Sequence, residues 1–149
     1  MQDHEYYMRI ALGLAREAGE DGEAPIGCVI VDSGGDVIGR GRNSREKEKS
    51  AIAHAEILAI SDACKRTGDW RLSGCSMYVT LEPCPMCAGA VIMSRIEKVF
   101  YGAREEQTGS CGSVMNLFME PYGHGVQITG GILADECSAL LSGFFSKLR

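Results

Sequence analysis

Apolar residues recur at Tyr7, Ile10, Ala11, Leu14, Ala15 and Ala18. That spacing predicts an amphipathic helix from about Asp3 to Ala18, with Asp3 as N-cap and Gly19 as stop. Two short segments, Gly27 to Asp32 and Asp36 to Gly41, read as strands around Ser33-Gly34-Gly35, a hairpin signal. The mixed charges of Arg45 to Lys49 read as a solvated loop face. A second helix is expected from near Ala53 to about Arg66, ended by Thr67-Gly68-Asp69. Ser76 to Leu81 reads as a strand, Cys84 to about Ser94 as a helix, and Lys98 to Gly102 as a strand. A short helix near Val114 to Met119, a strand at Val126 to Thr129 and a helix from Asp135 to Leu148 complete the pattern.

The alternation of helix and strand through the middle of the chain favours parallel pairing, with helices laid over a sheet. The expected fold is therefore α/β, a three-layer α/β/α sandwich around a mixed sheet of about five strands. No repeat, low-complexity tract or linker interrupts the 149 residues, so 1–149 is expected to be a single domain.

Composition narrows the setting. The hydrophobic share of 45% and charged share of 23% are ordinary for a water-soluble globular protein. No apolar run is long enough to span a bilayer. Met1-Gln2-Asp3-His4-Glu5 lacks the basic segment and apolar stretch of a signal peptide. The seven cysteines are odd in number and irregular in spacing, and are expected to be reduced thiols of a cytoplasmic protein, two of them on metal. A net charge of −5 argues mildly against a nucleic-acid partner. Lys147, Arg149, Arg42, Arg45 and Arg104 would answer that objection if they converged.

Two segments about thirty residues apart carry the chemistry: His54-Ala55-Glu56 and Pro83-Cys84-Pro85-Met86-Cys87. One imidazole and two thiolates are zinc ligands, and three protein ligands leave the fourth tetrahedral position to water, as in a catalytic rather than a structural site. Cys84 and Cys87 share one face of a first helical turn, where unpaired N–H groups favour thiolate. Glu56 lies two residues past His54 and so off its helix face, which suits it to the open position rather than to ligation. Zinc brings the pKa of its water from 15.7 to about 7, and a carboxylate that moves the proton contributes roughly 10²–10⁴-fold in rate. A lone Cys-x-x-Cys is also found in redox pairs and zinc knuckles, and His124 or Cys111 would close the site if either supplied a fourth ligand. The combination H-x-E with P-C-x-x-C is the established signature of zinc-dependent nucleobase deaminases.

At these residues the chain resembles the bacterial tRNA adenosine deaminases of the cytidine-deaminase-like superfamily. The resemblance extends through Ala24-Pro25-Ile26-Gly27, Arg71-Leu72, Tyr78 to Glu82, Leu81 to Ala90, Ser94-Arg95-Ile96, Phe100 to Arg104, Gly131 to Cys137 and Phe144-Phe145. It implies one Zn2+ per subunit on His54, Cys84 and Cys87, with Glu56 as proton shuttle. It implies a homodimer acting on adenosine at the wobble position of a tRNA anticodon loop. Asn43, Ala55, Glu105, Phe145 and Arg149 match positions that meet the substrate; Asn43 also reads as a turn residue. Phe144 and Phe145 equally read as core side chains of an amphipathic helix. The chain departs from the family at Gln107, where a Lys is common, and at Gly123, where an Asn is usual. A free base or nucleoside such as guanine, cytosine or cytidine is the alternative substrate.

Overall fold

The computed structural model describes residues 3–148; the position of Arg149 lies outside them. In chain order the elements are α1 (His4–Glu20), β1 (Gly27–Val31), β2 (Val37–Arg42), α2 (Arg45–Glu48), α3 (Ala55–Thr67), β3 (Ser76–Leu81), α4 (Pro85–Ser94) and β4 (Lys98–Ala103). A short 3₁₀ turn (Leu117–Met119), β5 (Gln127–Thr129) and α5 (Ala134–Lys147) follow. The Asp3 side chain accepts the Tyr6 N–H as the expected N-cap of α1. The helix continues through Gly19 to Glu20, because a single glycine weakens a helix without forcing it to end. The charge run expected to be loop instead forms the single turn α2, closed by Lys49 in the left-handed region at φ 50°. The helix expected at Val114 to Met119 contracts to the 3₁₀ turn.

The five strands lie in the order β2-β1-β3-β4-β5. β1 is antiparallel to both β2 and β3, while β3, β4 and β5 are parallel, so the sheet is mixed as expected. One face packs on α1 and α5 through Tyr7, Met8, Leu12, Val29, Tyr78, Phe100 and Cys137. The other packs on α3 and α4 through Cys28, Ile30, Ala59, Met77, Val79, Val91 and Val99. Burial on both faces explains why β1 reads as an apolar run and β3 shows no alternation of apolar and charged positions.

This order puts the C-terminal ends of β2, β3 and β4 at one edge of the sandwich, beside the start of β1. Every segment singled out for chemistry leaves the sheet there. The seating of α3 on β2 is unusually close: a Cβ on Gly41 would lie 2.2 Å from the Ala55 carbonyl oxygen, and one on Gly39 2.4 Å from that of Ala59. With no side chain between them, the helix rests directly on the strand.

Candidate active site

His54 is the N-cap residue of α3 and Cys84 that of α4, both with extended backbone. Pro85 occupies the first position of α4, where its missing N–H costs nothing. The two helix starts thus bring their first residues together. His54 Nδ1 lies 3.7 Å from Cys84 Sγ and 3.6 Å from Cys87 Sγ. All three ligand atoms lie within 4.8 Å of one another. Bonds of about 2.0–2.1 Å to nitrogen and 2.3 Å to sulfur, at a tetrahedral angle, put N and S about 3.6 Å apart. The donor set and its spacing therefore fit zinc.

The two thiols are electrostatically unequal. A hydrogen bond from Cys87 is the largest of several causes that bring Cys84 down to about 5, against the effect of burial; backbone N–H groups of the first turn and His54 add to it. Cys87 moves the other way, first because it gives that hydrogen bond and next because it is buried. The helix start thus holds a thiolate ready for a cation.

Neither alternative fourth ligand is in place. His124 Nε2 lies 2.7 Å from the Ile96 carbonyl oxygen, at the entry to β4 and the opposite edge of the sheet. Cys111 is outside the ligand cluster, and burial pushes its thiol up to about 12. Among the described residues the cluster has three donors, and its open side faces a cavity.

That cavity has a volume of about 470 Å³, within the range of small-molecule sites. His54, Glu56 and Cys84 form its floor. Glu56 is 4% exposed, and burial pushes its carboxyl up to about 7, partly offset by a backbone hydrogen bond. A carboxyl poised near neutrality both takes and returns a proton. Asn43, Glu105 and Phe145 also line the cavity. Phe145 is half-exposed at its mouth, and Phe144 contacts it edge-on while lining a separate cleft between α1 and α5. Neither phenylalanine belongs to the main core among the described residues. Ala55, by contrast, buries its methyl in the core on the α3 side.

Asn43 is buried, and its Nδ2 donates to the Ala24 carbonyl at 3.5 Å. Its Oδ1 is a buried acceptor with no partner. Leaving such an atom unpaired costs about 1–3 kcal/mol.

Sequence reasoning missed two buried carboxylates. Glu23, 3% exposed, accepts the backbone N–H groups of Glu46 at 3.1 Å and Lys47 at 2.8 Å. It thereby fixes the segment that carries Asn43 and Arg45. Glu82, 2% exposed, accepts the N–H groups of Glu105 at 3.1 Å, Cys111 at 2.9 Å and Ser113 at 3.1 Å, and also the Ser113 hydroxyl. It fixes the segment that carries Arg104, Glu105 and Thr108. Gly109 leaves room for it, since a Cβ there would lie 2.5 Å from Glu82 Cδ. The available signal was an acid placed directly after the buried strand β3.

Of the proposed basic residues, Arg45 and Arg104 line the cavity. Arg42 is held by Asp21 at 3.1 Å and Glu17 at 3.8 Å, and Lys147 lies at the separate cleft. Gln107 is exposed and does not line the cavity. Gly123 sits at φ 77°, a conformation that glycine adopts without strain.

Residues 1–103 match the cytidine and deoxycytidylate deaminase zinc-binding region. The tRNA-specific adenosine deaminase of Bacillus subtilis (strain 168) is 50% identical, over 100% of this chain and 92% of its own. That of Haemophilus influenzae is 44% identical, over 97% of this chain and 84% of its own. A solved structure from work on A-to-I editing by tRNA:A34 deaminases at the wobble position superposes with a TM-score of 0.88. It is 40% identical and covers 91% of this chain and 99% of that one. A guanine deaminase from Nitrosomonas europaea gives a TM-score of 0.85 at 28% identity, over 98% of this chain and 86% of its own. The N-terminal two-thirds, with all three residues of the donor cluster, carry the deaminase match, while the likeness to the tRNA enzymes continues through α5: the chain belongs to the zinc-dependent cytidine and deoxycytidylate deaminase family, within its group of tRNA-specific adenosine deaminases.

Proposed function

We infer that the protein converts adenosine to inosine at the wobble position of tRNA by hydrolytic deamination. The three-donor cluster of His54, Cys84 and Cys87, open toward a cavity beside a buried, near-neutral Glu56, carries the deamination, and the likeness to tRNA-specific adenosine deaminases along the whole chain carries the choice of substrate. One deaminase domain spanning 1–149 would hold one zinc ion on these three residues. When bound, zinc supplies a water acidic enough to ionise near neutral pH. Glu56 accepts the proton of the attacking water and delivers it to the ring nitrogen beside the reacting carbon. A second transfer by Glu56 protonates the leaving amine. A carbon–oxygen bond forms, the carbon–nitrogen bond breaks, and ammonia departs.

Substrate recognition falls to the walls. Asn43 Oδ1 offers its free acceptor to a donor on the nucleoside. The half-exposed ring of Phe145 gives a surface for stacking an unpaired base. Glu105, which lines the cavity, and Ala55 and Arg149 complete the set of substrate-binding residues on this reading. The anticodon loop suits such a pocket because its bases splay outward more cheaply than paired ones.

On this reading the protein works as a homodimer in the cytoplasm. Met93 on α4 and Val114 and Met119 in the segment after β4 are 68%, 58% and 80% exposed, apolar surface that a second copy would cover. No helix among the described residues is long and apolar enough to cross a membrane. Sedimentation at micromolar concentration is expected to give twice the chain mass.

Incubation of the zinc-loaded protein with an anticodon stem-loop bearing adenosine at the wobble position is expected to yield inosine on nucleoside analysis. Glu56→Gln should lower that rate roughly 10²–10⁴-fold while keeping one zinc per chain. Ammonia release from guanine or cytidine, with none from RNA, would replace this substrate by a free base or nucleoside.

A further inference from the structure

Arg45 and Arg104 are exposed and line the same cavity, yet neither belongs to an ion pair among the described residues. The pairs present use Arg9, Arg42, Arg66 and Arg71. We propose that Arg45 and Arg104 form a two-point clamp for the RNA phosphates that flank the reacting nucleotide. This rests on the tRNA reading above and adds the groups that distinguish a polynucleotide from a free nucleoside.

The placement follows from the sheet. Arg45 comes from the segment after β2 and Arg104 from that after β4, with β1 and β3 between. Three interstrand spacings separate those strands by about 14 Å. The two cations therefore enter the rim from opposite sides, with the nucleoside cavity between them.

Both segments are held rigid by buried acids. Glu23 ties down the N–H groups just after Arg45, and Glu82 those of Glu105, Cys111 and Ser113. Arg104 Nε also donates to Ser113 Oγ at 3.1 Å, which orients the guanidinium and leaves its terminal N–H groups for another acceptor. The planar fork of Arg104, held this way, matches phosphate oxygens in a bidentate manner, while the Arg45 guanidinium extends from a fixed stretch of backbone. The rim's own acid is engaged locally, since Glu105 Oε1 accepts the Gln107 N–H at 2.9 Å. A chain with net charge −5 thus carries two cations outside any ion pair among the described residues where the substrate backbone would run.

The test compares the zinc-loaded wild type with Arg45→Gln, Arg104→Gln and the double variant on an anticodon stem-loop, across a range of salt. Each single variant is expected to raise KM about tenfold, the loss of one charge-assisted hydrogen bond. Each should also flatten the plot of log affinity against log salt by about 0.7, the value for one phosphate contact on a single strand. Arg66→Gln is the control: it removes the same charge about 18 Å along α3 from His54 and should leave KM and slope unchanged. Lysine at both positions should restore most of the salt slope and only part of the affinity. Wild-type KM and slope in the double variant would overturn the clamp while leaving the tRNA reading intact. A wild-type protein that makes no inosine in the stem-loop would overturn the tRNA reading, and the clamp with it.

Discussion

The Glu82 carboxylate accepts the backbone N–H of Cys111 at 2.9 Å, joining the end of β3 to a segment 29 residues further along the chain. The same oxygen takes the Ser113 N–H, and its neighbour the Glu105 N–H. One carboxylate thus replaces the partners that a sheet would have given those amides.

Glu82→Gln is expected to free this segment. An amide presents donors to a site that needs acceptors, and each amide left unpaired costs about 1–3 kcal/mol. Arg104, Glu105 and Thr108 would lose their fixed positions, so kcat/KM should fall roughly ten- to hundredfold. Hydrogen exchange at Cys111 and Ser113, measured beside activity, checks both effects; native protection in the variant would refute the assignment.

Acid should act on the same carboxylate. Burial alone would raise its pKa, but hydrogen bonds from Ser113, Cys111 and Glu105 outweigh burial and hold it below the usual range. A group depressed in the folded state stabilises the fold above its unfolded pKa, and that contribution is lost as pH falls through the folded value. The segment should therefore be fully protected at pH 6–8 and loosen below about pH 4. Intrinsic-rate-corrected exchange at Cys111 gives the profile, and constant protection to pH 3 would contradict it.

Asn43→Ala separates stability from activity. Removing a buried acceptor that has no partner should leave the melting temperature unchanged or slightly higher, since only a 3.5 Å hydrogen bond is lost with it. Activity should fall roughly 5- to 150-fold, the equivalent of about 1–3 kcal/mol. A variant that melts early yet keeps wild-type kcat/KM would make Asn43 a structural turn residue instead.

Chelation of the metal should expose the inequality of the two cysteines. Cys84 is half-buried and down to about 5, whereas Cys87 is fully buried and shifted upward. After zinc removal at pH 7, iodoacetamide should label Cys84 well before Cys87, and zinc should protect both. Peptide mass spectrometry reads the order directly; equal rates would count against the shared-proton arrangement.

The metal cluster was legible because its chemistry sits in two short strings, each at a helix start that periodicity already located. The sheet was legible for a similar reason: β1 and β3 are buried on both faces and carry no charged residue. Glu23 and Glu82 were hidden because their partners are backbone amides, and an amide leaves no trace in residue type. Arg45 and Arg42, three positions apart, look equivalent in a charge count. The fold separates them by placing Glu17 and Asp21 of the α1 end beside Arg42.

The bare contact of Gly39 and Gly41 with α3 bears on where damaging substitutions should arise. His54 rides at the near end of that helix, whereas Cys84 and Cys87 hang from β3, two strands away. A single methyl at position 41 would act as a shim beneath one end of a lever, tilting the imidazole away from thiolates that stay still. The precision of the metal site is thus exposed to mutation on the outermost strand, at residues that touch neither metal nor substrate.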